Sequence, residues 1–240
     1  MSEWTHLATD LERGLGLSAA PIAITFGADA PHGVSAFNRP MPETAGDGRT
    51  GRVAAGCVFW MEAADQTFST EAADHANCSV GSVTHGFKTL DEVVGNEDVT
   101  ALLDCDWVTA EAVSQIPVVT ERPGTVIYGP LAETPVDPDV VLLRITARQL
   151  MVLHGALPNL RIEGKPQCHI VAIAKEQGEI AASVGCQLSR VRTGMPNAEL
   201  TCAIPGGRLS EVVALIKKAA RADNAVAAYA SEDMQRFAEA

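Results

Sequence analysis

A short frame of residues occurs twice in this chain, once in each half. The segments NCSVGSVTHG (77–86) and GCQLSRVRTG (185–194) both place a Val five positions and a Gly eight positions after a Cys. A frame that recurs at long separation predicts two half-repeats that pack against each other, which restricts the fold more than any local pattern does. We place the half-repeats at 18–100 and 125–222.

A second cysteine precedes each copy of the frame at a similar distance. Cys57 lies 21 positions before Cys78, and Cys168 lies 18 positions before Cys186. If the half-repeats are related by a pseudo-two-fold axis, all four cysteines come toward one place. The sequence therefore predicts a cluster of four thiols between the two halves.

Helical and strand patterns alternate along the 240 residues. Short apolar runs predict strands, whereas 3–15 and GRLSEVVALIKKAARA have the 3.6-residue period of amphipathic helices. This mixture predicts an α/β or α+β fold, a single domain over 1–240 in which helices surround a mixed sheet. The stretch 28–52 is rich in Gly and Pro, which is typical of a binding loop or lid.

Composition excludes several classes of partner. The net charge is −12, and Arg190 and Arg192 form the one small basic patch, so we expect no nucleic-acid partner. No apolar run reaches membrane-spanning length, and the first residues lack the features of a signal peptide, so we expect a cytoplasmic protein without a membrane partner. In that reducing compartment, cysteines are buried thiols, metal ligands or catalytic groups rather than disulfides.

The four paired cysteines are candidate ligands of an iron–sulfur cluster of the 4Fe–4S type, with zinc as the alternative metal. Thiolates are soft ligands, and three or four of them hold such a cluster. Neither a CxxC motif nor a ferredoxin spacing is present, and the alternative is that the thiols fill gaps in the core. Cys105 and Cys202 lie within apolar periodic runs, so we expect both in the core.

Two further residues are candidate catalytic groups. Arg190 lies four positions after Cys186 and could direct its guanidinium at an anionic substrate, although a surface ion pair explains it equally well. His85 lies seven positions after Cys78, on the same face of a predicted helix, and could act as a base. A buried or surface histidine without a catalytic role is its alternative. If Cys78 and Cys186 open helices, the helix dipole is expected to lower their thiol pKa values.

Several segments together resemble the bacterial and archaeal family called domain of unknown function 169. They are AAGCVFWMEAA, NCSVGSVTHG, GTVIYGPLAETPVDPDVVLLRITARQLMVL, Cys168 and SVGCQLSR. The resemblance runs from GLGLSAAPIAITF to the helix after AIPGGRLSEVV, nearly the whole chain. It implies a fold and a set of cysteine positions, and it implies no settled activity.

Three functions stay open on the sequence. The first is an enzyme or electron carrier with a cysteine-bound iron–sulfur cluster that acts on a small anionic or sulfur-containing substrate. The second is a thiol enzyme without a metal, with Cys78 or Cys186 as nucleophile and His85 as base. The third is a non-catalytic module that binds a small ligand or takes part in an assembly. The partners left open are a small molecule and a second copy of the chain.

Overall fold

The chain folds into an α/β structure around a mixed seven-stranded sheet. The computed structural model describes residues 2–38, 56–164 and 166–238. The strands run in the order β2-β3-β1-β4-β7-β6-β5. Their bounds are β1 Ile22–Gly27, β2 Phe68–Thr70, β3 Thr125–Pro130, β4 Val140–Ile145, β5 Arg161–Glu163, β6 Ala181–Ser183 and β7 Leu200–Pro205.

Helices cover both faces of this sheet. Their bounds are α1 Glu3–Leu15, α2 Cys57–Glu62, α3 Ser79–Thr84, α4 Glu97–Asp104, α5 Ala110–Ser114, α6 Ala147–Ala156, α7 His169–Ala172, α8 Gln187–Thr193 and α9 Leu209–Ala238. Helix α7 continues directly into a π-helical turn, Ile173–Gln177. Among the described helices, none is both long enough and apolar enough to span a membrane.

The sheet has an internal two-fold correspondence. The order β2-β3-β1 in the first half is repeated as β6-β7-β4 in the second, and β1 pairs antiparallel with β4 at the centre. Ala23 faces Val141 there, and the neighbouring pairs are symmetric, with Ile22 opposite Leu142 and Ile24 opposite Val140. Antiparallel pairing repeats on both sides, so the arrangement is compatible with two half-repeats. The duplication itself stays a prediction.

Each central strand buries side chains on both faces of the sheet. In β4, Val140 and Leu142 belong to the core on one face, and Val141 and Leu143 belong to the core on the other. Continuous apolar runs of this kind are expected where helices cover a sheet on both sides. One face is covered by the long helices α1, α6 and α9, and the other carries short helices, aromatic rings and the cysteine-rich segments.

The sequence patterns give most elements and miss some boundaries. The segment TLDEVVGNEDVTALLDC predicts a helix from Thr89 onward, but the helix begins only at Glu97, and 90–96 forms turns and bends. The helix opened by Cys78 ends already at Thr84, and the short edge strand β5 carries no pattern that predicted it. The predicted helix GRLSEVVALIKKAARA and the helical segment SEDMQRFAEA that the sequence predicts after it belong to one continuous helix, α9, which is described to Ala238. Of the predicted loop 28–52, residues 39–52 lie outside the described residues.

Candidate functional site

The four paired cysteines all lie at helix openings. Cys78 and Cys186 have extended backbones and are the N-caps of α3 and α8, as the repeated frame predicts. Cys57 is the first residue of α2, and Cys168 directly precedes α7. At these two helix starts the N-cap residue has right-handed helical backbone angles rather than extended ones. Helix α2 packs against α8, and α3 packs against α7. The helices of one half therefore bring their cysteines to those of the other half.

The four sulfurs lie within electrostatic range of one another. Burial raises the pKa of the Cys57 thiol, and the nearby Cys78 and Cys186 raise it further. Burial likewise raises the pKa of Cys168 well above its ordinary value, with contributions from all three other cysteines. An ionised neighbouring sulfur therefore disfavours ionisation of Cys57, Cys78 and Cys168. The structure thus brings together the four residues that the sequence grouped.

The expectation that a helix start lowers the thiol pKa is wrong for Cys78. Its pKa is raised to about 11, because burial of the sulfur outweighs the backbone N–H of Gly81, which donates to it at 3.3 Å. Helix α3 has only six residues, and a short helix offers little dipole to oppose the loss of solvation. Cys78 is consequently a protonated thiol at neutral pH unless a cation replaces the proton.

Polar groups surround the sulfurs. The amide Nε2 of buried Gln167 donates to Cys57 Sγ at 3.4 Å and also lies 3.4 Å from Met195 Sδ. The Thr84 side chain is a hydrogen-bond partner of the Cys168 thiol. Together with the Gly81 N–H at Cys78, three of the four sulfurs have a hydrogen-bond partner of this kind. Such bonds favour the thiolate form of a cysteine, and in a bound metal centre they affect the reduction potential.

Tyr128 brings a buried hydroxyl to the same region. Its residue is fully buried, and within the described parts of the chain the hydroxyl has no hydrogen-bond partner. Its ring stacks on Phe68 at a centroid distance of 5.8 Å and lies tilted against Phe59 at 5.4 Å. Burial raises the Tyr128 pKa well above its ordinary value, and Cys57 and Cys168 raise it further. The hydroxyl is therefore near two of the four sulfurs and available to donate.

His85, the predicted base, ends helix α3 as its C-cap and is buried. Its Nδ1 lies 3.0 Å from the Gly81 carbonyl oxygen, which only accepts, so we assign the proton to Nδ1. Nε2 then carries a lone pair and has no partner among the residues that the structure describes. Burial lowers the pKa of His85 to about 4, so the ring is neutral at physiological pH.

A second buried histidine, His75, lies beside the first. The two rings are 5.4 Å apart between centroids, and burial together with the neighbouring His85 lowers the His75 pKa well below its ordinary value. Its Nε2 is 3.0 Å from the Thr70 hydroxyl, which donates to the Val126 carbonyl. The Nε2 atom therefore carries the proton. The Nδ1 atom, which faces Gly56, finds no partner in the described ranges.

Arg190, the other predicted catalytic residue, is engaged with the backbone. Its guanidinium donates to the carbonyls of Cys186, at 3.3 Å, and of Glu199. It also lies against Gly185, whose φ is +118° and whose added Cβ would come within 2.4 Å of Nη1. Arg190 thus fixes the turn that presents Cys186. Its predicted role toward an anionic substrate stays a prediction.

Arg192, which the sequence indicated only as part of a small basic patch, contacts the cysteine region. Its guanidinium donates to the carbonyl of Asn77, the residue before Cys78, and its charge acts to lower the Cys78 pKa. It therefore connects α8 of the second half to a cysteine of the first half. A contact across 115 positions leaves no local pattern in the sequence that could have predicted it.

Comparison with known proteins identifies the family. The family model named DUF169, with the description "Uncharacterised ArCR", matches residues 10–214. The chain belongs to the DUF169 family. The match covers most of the chain and confirms the resemblance seen in the cysteine-bearing segments. No curated protein and no solved structure matches this DUF169 chain.

The two remaining cysteines of the DUF169 chain lie apart from the four. Cys202 is buried on the opposite face of the sheet, among the residues under α1, α6 and α9, and burial raises its pKa to about 12. The prediction that Cys202 is a core residue is correct. The same prediction for Cys105 is wrong, because Cys105 follows the end of α4 and is exposed.

The side chains are not arranged around a single ion. Over 2–38, 56–164 and 166–238, no group of three or more His, Cys, Asp or Glu side chains could hold a metal ion. One zinc ion binds its thiolates at about 2.3 Å and therefore requires its sulfurs to be in near contact. A cluster of several irons and sulfides fills a larger space and separates its cysteine ligands more widely. The four cysteines lie within electrostatic range of one another; Cys57 and Cys168 are buried, and Cys78 and Cys186 are partly buried.

Proposed function

We propose that Cys57, Cys78, Cys168 and Cys186 bind an iron–sulfur cluster of the 4Fe–4S type between the two halves of the chain. The observation that carries this proposal is the mutual electrostatic influence of four sulfurs, two from each half, on one face of the sheet. Cluster ligands are Cys thiolates, and four is the usual number.

The charges of the site favour a bound cation. Burial and repulsion from neighbouring sulfurs raise the pKa values of Cys57, Cys78 and Cys168, so these thiols stay protonated at neutral pH in the absence of a cation. A metal centre replaces the protons and deprotonates the thiols as it binds. Without a bound metal centre, the polar donors near Cys57, Cys78 and Cys168 would face protonated thiols.

Residues around the sulfurs are suited to hold such a centre. Gln167 and Gly81 donate to Cys57 and Cys78, and Thr84 is the partner of Cys168. The unpartnered Tyr128 hydroxyl supplies one more donor toward the sulfurs. When bound, a cluster supplies electron transfer or, at an iron with an open position, Lewis-acid chemistry on a small anionic or sulfur-containing substrate.

The thiol-enzyme alternative agrees less well with the site. A nucleophilic cysteine needs a pKa near or below neutrality, whereas burial raises that of Cys78 to about 11. His85 Nε2 is a free acceptor, yet a pKa of about 4 makes His85 a weak base. Two alternatives are tested by the experiment below: bound zinc instead of iron, and a non-catalytic binding module without a metal.

The experiment is anaerobic purification followed by iron, zinc and acid-labile sulfide analysis and a visible spectrum. We expect about four irons and four sulfides per chain and a broad brown absorbance. Cys→Ser at each of the four positions should lower the iron content. Retention of the cluster in one of the four variants would show that this cysteine is not a ligand and that one iron has an open coordination position.

The chain supplies matched controls in its two other cysteines. Cys105→Ser changes an exposed thiol, and Cys202→Ala changes a buried thiol on the other face of the sheet. Both variants should retain iron at the wild-type level. The proposal is wrong if the wild-type protein contains no iron and sulfide, or if the control variants lose iron as the four test variants do.

A further inference from the structure

The C-terminal half of α9 leaves the body of the protein. The helix has 30 residues, yet its buried residues are Leu209, Val212, Val213 and Ile216, all in its first third. From 225 to 238 every described residue except one, Asp233, is exposed. An isolated helix of about 14 residues is marginally stable in water, so an additional contact is needed to keep this segment helical.

Large apolar side chains are exposed on this segment. Val226, Tyr229, Met234 and Phe237 are 66, 65, 72 and 76% exposed. Single exposed apolar residues are ordinary, but these four lie on one side of a projecting helix and form an apolar stripe that only Asp233 interrupts. The stripe extends back along the helix to Leu215, which is 36% exposed.

A groove on the same molecule borders the start of the stripe. It has a volume of about 670 Å³ and lies between the α6–β5 connection and α9. Its apolar lining consists of Leu157, Pro158, Leu160, Ile180 and Leu215. Arg161, Arg208, Glu179 and Glu211 line its polar part. An aromatic side chain would find apolar contact on one side of this groove.

The spacing of the stripe is self-complementary. Phe237 lies eleven positions after Val226, and Leu215 lies eleven positions before it. Eleven residues are three helical turns, so all three share one face. In an antiparallel pair with its two-fold axis at Val226, Phe237 of each chain lies opposite Leu215 at the groove of the other. Ala222 and Ala230 meet in the same way, and their small side chains permit close approach.

The charges favour the same arrangement. Lys218 and Arg221 precede Val226, and Glu232 and Asp233 follow it at similar distances. Antiparallel pairing sets the basic stretch of one chain against the acidic stretch of the other, whereas parallel pairing opposes like charges. The paired region, from 215 to 237, is about 33 Å long.

We propose that the exposed stripe of α9 binds a second copy of this chain as an antiparallel helix pair, with Phe237 of each copy in the groove of the other. The arrangement is isologous, as expected of a two-fold homodimer. It is independent of what the cysteines bind.

The test is the mass of the full-length protein by sedimentation equilibrium between micromolar and 100 micromolar concentrations, with Val226→Asp compared with Val94→Asp. Both substitutions replace an exposed valine, since Val94 is 53% exposed and lies outside α9. We expect a dimer for the wild type and V94D, and for V226D a dissociation constant raised by at least about a hundredfold. Circular dichroism confirms that each variant is folded.

Cross-linking tests the direction of the helices. In a Cys105→Ser background, oxidised Leu215→Cys/Phe237→Cys protein should form an interchain disulfide, and Leu215→Cys alone should form none. A monomeric wild type would overturn the proposal and leave the stripe to a different partner. A V226D variant that stays dimeric, or a cross-link in Leu215→Cys alone, would overturn it as well.

Discussion

At the scale of single residues, the candidate site is unusual for its buried polar atoms without partners. The Tyr128 hydroxyl, His75 Nδ1 and His85 Nε2 are all buried, and within the described residues none has a hydrogen bond. Burying each such atom costs about 1–3 kcal/mol of desolvation free energy, and no hydrogen bond offsets this cost. Groups of this kind concentrate where a fold is built to hold something else. These atoms therefore support a functional role for the cysteine region in addition to the support that the thiols give.

The Tyr128 hydroxyl can be removed without a change of ring volume. We expect metal-free Tyr128→Phe to be as stable as the wild type or up to about 1 kcal/mol more stable in urea unfolding, because the lost group has no partner. In protein that contains a cluster, loss of a donor to sulfur should make the reduction potential more negative. A clear loss of metal-free stability in Tyr128→Phe would contradict the interpretation.

The buried histidines predict a pH dependence. The pKa of His85 falls from 6.5 to about 4 on folding, so between these values the unfolded chain binds more protons than the folded one. Stability is therefore complete above pH 6.5 and is lost as the pH falls toward 4. We expect His85 to account for about 2 kcal/mol of lost unfolding free energy in metal-free protein between pH 7 and pH 5.

Two variants isolate this effect. His85→Asn retains a side-chain N–H for the Gly81 carbonyl and should flatten the pH profile of urea unfolding. His6→Asn, at an exposed position, should leave the profile unchanged. An unaltered slope in His85→Asn would show that the titration belongs to other groups.

At the scale of elements, the two ends of the central sheet are closed in the same way. Leu131 N–H, after β3, donates to the Pro21 carbonyl before β1, and Gly206 N–H, after β7, donates to the Asp139 carbonyl before β4. Both bonds are 2.8 Å long. At the second closure the backbones approach so closely that a Cβ on Gly206 would lie 1.8 Å from the Pro138 carbonyl oxygen. Glycine is therefore required for the strand to end there.

Adjacent glycines make this requirement testable. Gly206→Ala should lower the free energy of unfolding by at least about 3 kcal/mol, because a backbone carbonyl cannot yield to the added methyl group. A Cβ on Gly207 would have no neighbour within 4 Å, so Gly207→Ala should change stability by less than about 1 kcal/mol. Urea unfolding of the two variants measures the difference, and equal stability would refute the close approach.

At the scale of the whole molecule, the cysteines connect the two halves of the chain. Cys57 and Cys78 come from the first half and Cys168 and Cys186 from the second, and α2 and α3 pack against α8 and α7. A centre bound by all four would add a further link between segments that packing, the Arg192–Asn77 contact and the Gln167–Cys57 hydrogen bond already connect. Its binding free energy would therefore add to the stability of the fold.

If the four cysteines bind a cluster, its removal should accordingly destabilise the protein as a whole. We expect anaerobic chelation to lower the melting temperature by at least about 5 °C, measured by calorimetry before and after treatment. The variant with all four cysteines changed to serine should melt at one temperature with or without chelator. If chelation strips iron from the wild type without a shift in melting temperature, the metal does not bridge the halves.

The sequence by itself determined the layout of this fold. The bounded apolar runs specify the central strands, because a strand buried on both faces needs a continuous apolar sequence. The repeated frame specified two helix openings with a cysteine at each, since capping depends on local backbone geometry. These properties depend on neighbours in the chain, so they are visible in the sequence.

Only the tertiary structure decided the chemistry of the site. The raised pKa of Cys78, the unpartnered hydroxyl of Tyr128, the Arg192 contact with Asn77 and the exposure of Cys105 all depend on segments distant in the chain. Ionisation and hydrogen bonding depend on which groups exclude water from an atom, and packing alone sets that. A helix opening that would favour a thiolate in water therefore becomes a site for protonated thiols or a metal once it is buried.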